Sequence, residues 1–179
     1  VRELVTSAPE ADAAEIRAAE LRLINMHEDF MMFTTPERMD AQSDYIYSWN
    51  QTRLLELTDF GGKTVLDVGS GSGRLAFAAA SQAAWVYACE PVAMLREYMR
   101  DKIRREKIPN VRVVDGMCDS LPYPDNTFDI VMSGHVVGDH PEEELAELQR
   151  VVKPGGWLLD CPGDQPRKTE PSQILLARG

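Results

Sequence analysis

Residues 65–73 read Val-Leu-Asp-Val-Gly-Ser-Gly-Ser-Gly, an apolar run interrupted by one acid and closed by three alternating glycines. Val65, Leu66 and Val68 suit a strand covered on both faces, as in the middle of a parallel sheet. Gly69, Gly71 and Gly73, with Ser70 in the same turn, give a backbone that a ligand can approach closely. The residues that follow, Arg74-Leu-Ala-Phe-Ala-Ala-Ala, are mostly strong helix formers. Strand, glycine turn and helix in that order predict an α/β chain with a small-molecule site at the carboxyl end of its first strand.

Asp67 narrows the ligand. A glycine loop at a helix N-terminus ordinarily attracts phosphate through free N–H groups and the helix dipole. A buried carboxylate two residues earlier opposes a pyrophosphate and favours a ligand carrying positive charge, such as a sulfonium or an amino group. The dinucleotide pattern G-x-G-x-x-G/A also fails here, because Arg74 stands where a small residue is needed for close helix–strand packing. A second acid, Glu90, closes the strand-like run Ala84-Trp-Val-Tyr-Ala-Cys and lies about 20 residues past the first glycine, the spacing at which a carboxylate grips ribose hydroxyls. The competing view of Glu90 is an ordinary acid at a helix start. Pro91 then fits the first position of the next helix.

With these residues, three further segments carry a family resemblance. Leu121-Pro-Tyr-Pro-Asp-Asn-Thr-Phe-Asp-Ile-Val-Met is similar to a loop entering a fourth strand. Leu148-Gln-Arg-Val-Val-Lys-Pro-Gly-Gly-Trp-Leu-Leu is similar to a last parallel crossover, with Pro154-Gly155-Gly156 turning into strand five. Gly116-Met-Cys-Asp-Ser occupies a loop after strand three. Over residues 45–162 the chain resembles the class I S-adenosylmethionine-dependent methyltransferases, in the small-molecule branch that includes the ubiquinone/menaquinone biosynthesis enzymes.

The resemblance implies a Rossmann-like, doubly wound, mainly parallel sheet with helices on both faces. It divides the chain into an N-terminal helical extension or lid, 1–60, and a cofactor-binding domain, 61–179. It implies S-adenosyl-L-methionine as cofactor, held by Asp67, Gly69, Ser70, Gly71, Gly73, Glu90, Pro91, Met117, Cys118 and Ser133, with Tyr45 as a lid contact. At the adenine loop the chain departs from the family, which usually has Asp where Met117 stands; the Cys118 N–H still meets the ring, Met117 packs on its face, and Asp115 or Asp119 is the replacement acceptor. The implied reaction is in-line methyl transfer to a small-molecule acceptor, for which alignment and water exclusion are the protein's tasks. Ser133-Gly-His-Val-Val-Gly-Asp-His borders the methyl group, and His135 is the candidate base; its other role is to shape the pocket. Family members end in two more strands, so the C-terminal edge strands are expected to be missing and strand five open to pairing. Two rivals stand beside transfer: a non-catalytic module holding S-adenosylmethionine or S-adenosylhomocysteine, and a nicotinamide-dependent oxidoreductase, which Asp67 and Arg74 oppose.

Composition excludes other partners. A net charge of −10 argues against nucleic acid and anionic membrane surfaces, which want Lys and Arg. The basic cluster from Arg100 to Lys107 fits the C-terminal half of one helix. No apolar run reaches the ~20 residues of a membrane span, and no secretory pattern opens the chain. Cys89, Cys118 and Cys161 form no C-x-x-C pair and suit a reducing cytoplasm as small buried hydrophobes. His135 and His140 with Asp139 have poor metal-ligand spacing, and no metal is expected.

Upstream, Ser7-Ala-Pro-Glu10 has capping-box form. Ile16, Ala19, Leu23, Met26 and Phe30 make one apolar helical stripe, which packs on the main domain or pairs with a second copy in a homodimer. Thr35-Pro36 starts another helix, and Asp44 caps a continuation ending at Gly61-Gly62. Phe30, Tyr45, Tyr47 and Trp49 are aromatic lid candidates toward a sulfonium; plain core packing competes for Phe30 and Trp49. Val92, Leu95, Met99 and Ile103 share one later helix face, and a helix starting at Pro141 shows Leu145, Leu148 and Val152.

Overall fold

The computed structural model describes residues 12–42 and 50–161. In chain order the elements are α1 (Ala13–Thr34), α2 (Pro36–Gln42), α3 (Gln51–Leu55), β1 (Thr64–Val68), α4 (Arg74–Ala80), β2 (Trp85–Cys89), α5 (Ala93–Glu106), β3 (Val111–Val114), β4 (Phe128–Ser133), α6 (Pro141–Val151) and β5 (Val152–Asp160). The strands form one sheet ordered β3-β2-β1-β4-β5, and every neighbouring pair is parallel.

The order follows from right-handed crossovers. From β1 the chain steps through α4 and α5 to β2 and β3, then returns past β1 to β4 and on through α6 to β5. The two directions put α4 and α5 on one face and α6 on the other. Alternation along the strands matches: Val65, Ile130 and Met132 pack with Leu75, Ala79 and Met99, whereas Leu66, Val68 and Val131 pack with Leu145, Leu148 and Val151. Each fully buried Leu, Ile or Met in these layers contributes about 1.5–3 kcal/mol. Strand order reverses between β1 and β4, the switch point where open α/β sheets leave a crevice.

Several local expectations change. Pro91 precedes the helix rather than starting it, because Val92 is the N-cap of α5. Val151, not Val152, is the last buried residue of α6; Val152 already pairs in β5. Pro154-Gly155-Gly156 lies within β5 as an irregularity, with Gly155 at φ +76°, rather than before it. Between β3 and β4 the described chain has a loop in place of a crossover helix. Arg150 fastens it by donating to the Leu121 and Tyr123 carbonyls, while Glu147 accepts from Leu121 N.

The helix α1 begins with a capping box of Asp12 and Glu15. Of its predicted stripe, Ile16, Leu23 and Phe30 are exposed, so these residues do not join the main core. Asn50 caps α3. Ser7–Glu10, Asp44, Tyr45, Tyr47, Trp49 and residues 162–179, on which the missing-edge expectation bears, lie outside the described residues, as do the side chains of Met26 and His27.

Candidate functional site

A cleft of about 560 Å³ opens at the carboxyl ends of β1, β2 and β4, within the range of small-molecule pockets. Its floor starts with Asp67, only 1% exposed. Asp67 shares the face of β1 that α4 covers, and its Oδ2 accepts from Ala76 N at 3.0 Å. It thereby serves a helix whose own N-cap, Gly73, has no side chain to offer. The other oxygen, Oδ1, has no hydrogen-bond partner among the described residues. Burial pushes the carboxyl up to about 7, against the nearby positive charge of Arg74 and the Ala76 N–H. The sequence-based preference of this carboxylate for a positively charged ligand is therefore tempered: near neutral pH Asp67 is poised between charged and neutral forms, and Arg74 itself lines the cleft.

The glycine turn is tied to β2. Gly69 N and Ser70 N both donate to the Cys89 carbonyl. Gly69 adopts φ +64°, and a Cβ built there would stand 2.2 Å from Val136 Cγ2, so the loop after β4 can lie directly on the turn. Gly71, at φ +58°, donates its N–H to Glu90 Oε2 at 2.9 Å. Glu90 Oε1 accepts from Val92 N at 2.9 Å. One buried carboxylate therefore stitches the glycine turn to the start of α5, with further acceptor capacity left on both oxygens. Burial raises its pKa, opposed by those two amides and by Arg96. Arg96 braces the same turn, donating to the carbonyls of Glu90 and Pro91 and to Asp115.

Gly116, Met117, Cys118 and Asp119 form the third wall. Gly116 sits so close to β2 that a Cβ would stand 2.7 Å from Cys89 Sγ. Met117 is 54% exposed and free to cover a ligand. Burial pushes both the Cys89 and Cys118 thiols up to about 12, so neither supplies a thiolate nucleophile.

The fourth wall is the loop after β4. His135 takes φ +61° and, with Val136, lines the cleft. Glu144, in the first turn of α6, is buried and holds this loop: its oxygens accept from Gly138 N at 2.8 Å and His140 N at 3.2 Å. His140 is the N-cap of α6. On the open side, α2 supplies Met39, 3% exposed, whose Sδ would lie 3.3 Å from a Cβ at Gly71.

Of the residues picked from sequence, Asp67, Gly69, Ser70, Gly71, Glu90, Pro91, Met117, Cys118 and His135 line the cleft. Gly73 and Ser133 do not. Gly73 is occupied by packing, since a Cβ there would meet Phe77 at 2.3 Å. Ser133 shares the face of Val131 and is turned toward α6. Tyr45 lies outside the described residues. Arg74 and Glu144 were missed as lining residues, although the acidic run Glu142-Glu143-Glu144 behind Pro141 marked a helix start. Met39 gave no local signal.

Comparison with known proteins agrees with this geometry. A family model described as a methyltransferase domain matches residues 66–160. A demethylmenaquinone methyltransferase of a Geobacillus species is 30% identical over 123 residues, covering 66% of this chain and 53% of that protein. A ubiquinone/menaquinone biosynthesis C-methyltransferase of Cupriavidus taiwanensis is 38% identical over 109 residues, 55% of this chain and 42% of the relative. The crystal structure of a SAM dependent methyltransferase from Aquifex aeolicus superimposes with a TM-score of 0.63 at 25% identity, covering 78% of this chain and 79% of the other. The chain spans about half the length of the curated relatives it matches.

Proposed function

The chain belongs to the methyltransferase-domain family, and from that premise we propose that its cleft binds S-adenosyl-L-methionine and delivers the methyl group to a small-molecule acceptor. The observation that carries this is the Oδ1 of Asp67, a buried carboxylate oxygen at the cleft floor without a partner among the described residues. A leftover buried acceptor is costly unless a ligand donor satisfies it, and a cationic amino group is the donor that suits a carboxylate. Glu90, at the end of β2, has the remaining lone pairs to receive ribose hydroxyls. Met117 and the Cys118 backbone suit the adenine, and the glycine turn leaves room beside Asp67.

When bound, the sulfonium supplies an activated methyl group for in-line displacement. The chain's own part is to align and to exclude water. Glu90 fixes the turn, Met39 closes the side over Gly71, and Glu144 fixes the loop that carries His135. Of the groups lining that wall, His135 is our candidate to take a proton from an O–H or N–H acceptor.

In this reading residues 61–179 form the cofactor-binding domain and residues 1–60 the lid, with Tyr45 as a lid contact. The relatives' names make quinone precursors the first acceptors to try. Among the described residues no helix is long and apolar enough to cross a membrane, and three free thiols favour a reducing compartment, the cytoplasm. The exposed Ile16, Leu23 and Phe30 favour pairing of α1 with a second copy; sedimentation at rising concentration reads that directly.

The test is transfer of label from methyl-tritiated S-adenosylmethionine to a panel of quinols, phenols and amines. Label in an acceptor is the expected result. Tight binding with no label on any acceptor would reduce the chain to a cofactor-holding module.

A further inference from the structure

Helix α2 has seven residues, too few to persist on their own in water. Its position over the cleft therefore depends on what it touches. Met39 is buried in the cleft wall against the glycine turn. One residue further on, Asp40 Oδ2 accepts from the Tyr98 hydroxyl at 2.7 Å, a bond between residues 58 apart in sequence.

Tyr98 is well placed to report on the site. It stands on α5, whose N-cap Val92 donates to Glu90 and whose Arg96 donates to the Glu90 carbonyl. The helix is seated on the sheet by other residues, the fully buried Leu95 and Met99. So the element that fixes Glu90 also packs against the short helix that brings Met39 over Gly71, and bonds to it through the Tyr98 hydroxyl. A hydroxyl donating to a carboxylate belongs to the stronger class of hydrogen bonds.

We propose that the Tyr98–Asp40 hydrogen bond latches α2 across the cleft, making Tyr98 a positioning residue that sets how long the cofactor stays bound. The residence-time part rests on the cofactor reading above; the latch itself does not. Ligand leaves when α2 swings away, and the open population grows when the hydroxyl is removed.

The experiment uses the full chain as wild type, Tyr98→Phe, Asp40→Ala, Asp40→Asn and the double variant Tyr98→Phe/Asp40→Ala. Hydrogen exchange of the peptide spanning residues 35–42 is followed without ligand, and S-adenosylhomocysteine dissociation is followed by stopped flow. Tyr98→Phe and Asp40→Ala are each expected to speed exchange in that peptide and ligand release about tenfold, with exchange in α6 unchanged. The double variant is expected to be no faster than either single one, since both remove one interaction. Asp40→Asn keeps a neutral acceptor oxygen for the hydroxyl and should fall between wild type and Asp40→Ala. Unchanged exchange in both single variants would overturn the latch. Faster exchange with unchanged S-adenosylhomocysteine release would overturn its control of residence time. Failure of the wild type to bind S-adenosylhomocysteine would overturn the cofactor reading and the residence-time claim, leaving the exchange result to decide the latch.

Discussion

Glu90→Ala is expected to weaken S-adenosylhomocysteine binding at least about a hundredfold, the loss of two hydrogen bonds to a charged group. The same change also costs stability, because Gly71 N and Val92 N both lose their acceptor; each amide left buried and unpaired costs about 1–3 kcal/mol. The variant should therefore melt several degrees lower while remaining folded, with the hydrophobic layers on both sheet faces untouched. Glu90→Gln separates the two effects. Its amide oxygen can serve one of the two N–H groups, so part of the stability returns while the pair of acceptors required by ribose does not. Calorimetric titration beside a melting curve reads both quantities, and wild-type affinity in either variant would remove Glu90 from the site.

Asp67→Asn is expected to divide stability from binding by pH. The folded carboxyl titrates near 7, far above its unfolded value of about 3.8. With the folded value raised, the contribution to stability is fully present below about pH 4 and is lost as pH rises to 7. A shift of about three units corresponds to roughly 4 kcal/mol. Asparagine does not titrate, so unfolding free energies of wild type and variant should converge or cross between pH 4 and pH 8, the variant gaining relative to wild type by up to that amount. The amide N–H₂, placed where Oδ1 has no partner among the described residues, lowers the variant's stability by the same amount at every pH and leaves that relative gain unchanged. Binding moves the other way. A cationic ligand group beside Asp67 prefers the carboxylate, so cofactor affinity in the wild type should fall with decreasing pH below about 7, by no more than tenfold per unit. Asp67→Asn should bind weakly and lose that dependence. A stability difference that stays flat from pH 4 to pH 8 would contradict the buried, perturbed carboxyl.

The parts of the site that sequence exposed are those set by local order along the chain. An apolar run, an acid and alternating glycines already place a turn at the end of β1, and Glu90 follows from the length of one helix and one strand. Leu95 and Met99, Leu145 and Leu148 were legible from helical spacing, and each pair is buried. What remained hidden depends on tertiary approach. Asp40 meets Tyr98 across 58 residues, and nothing near Met39 marks it as a cleft residue. Glu144 drew no reading from sequence, and its carboxylate reaches back over the loop to Gly138. Ser133 is not among the residues lining the cleft, since it shares strand parity with Val131 and Val131 packs on the α6 face. Arg74 was read only for its bulk; in the fold its charge opposes the effect of burial on Asp67.

Isothermal titration of the full chain with S-adenosylmethionine, with NAD injected separately as the dinucleotide control, tests the assignment of the cleft most directly. One-to-one binding of S-adenosylmethionine at pH 7.5, lost in Glu90→Ala, with no heat from NAD, is the expected outcome. Saturable NAD binding with none for S-adenosylmethionine would mean that the glycine turn serves a diphosphate after all.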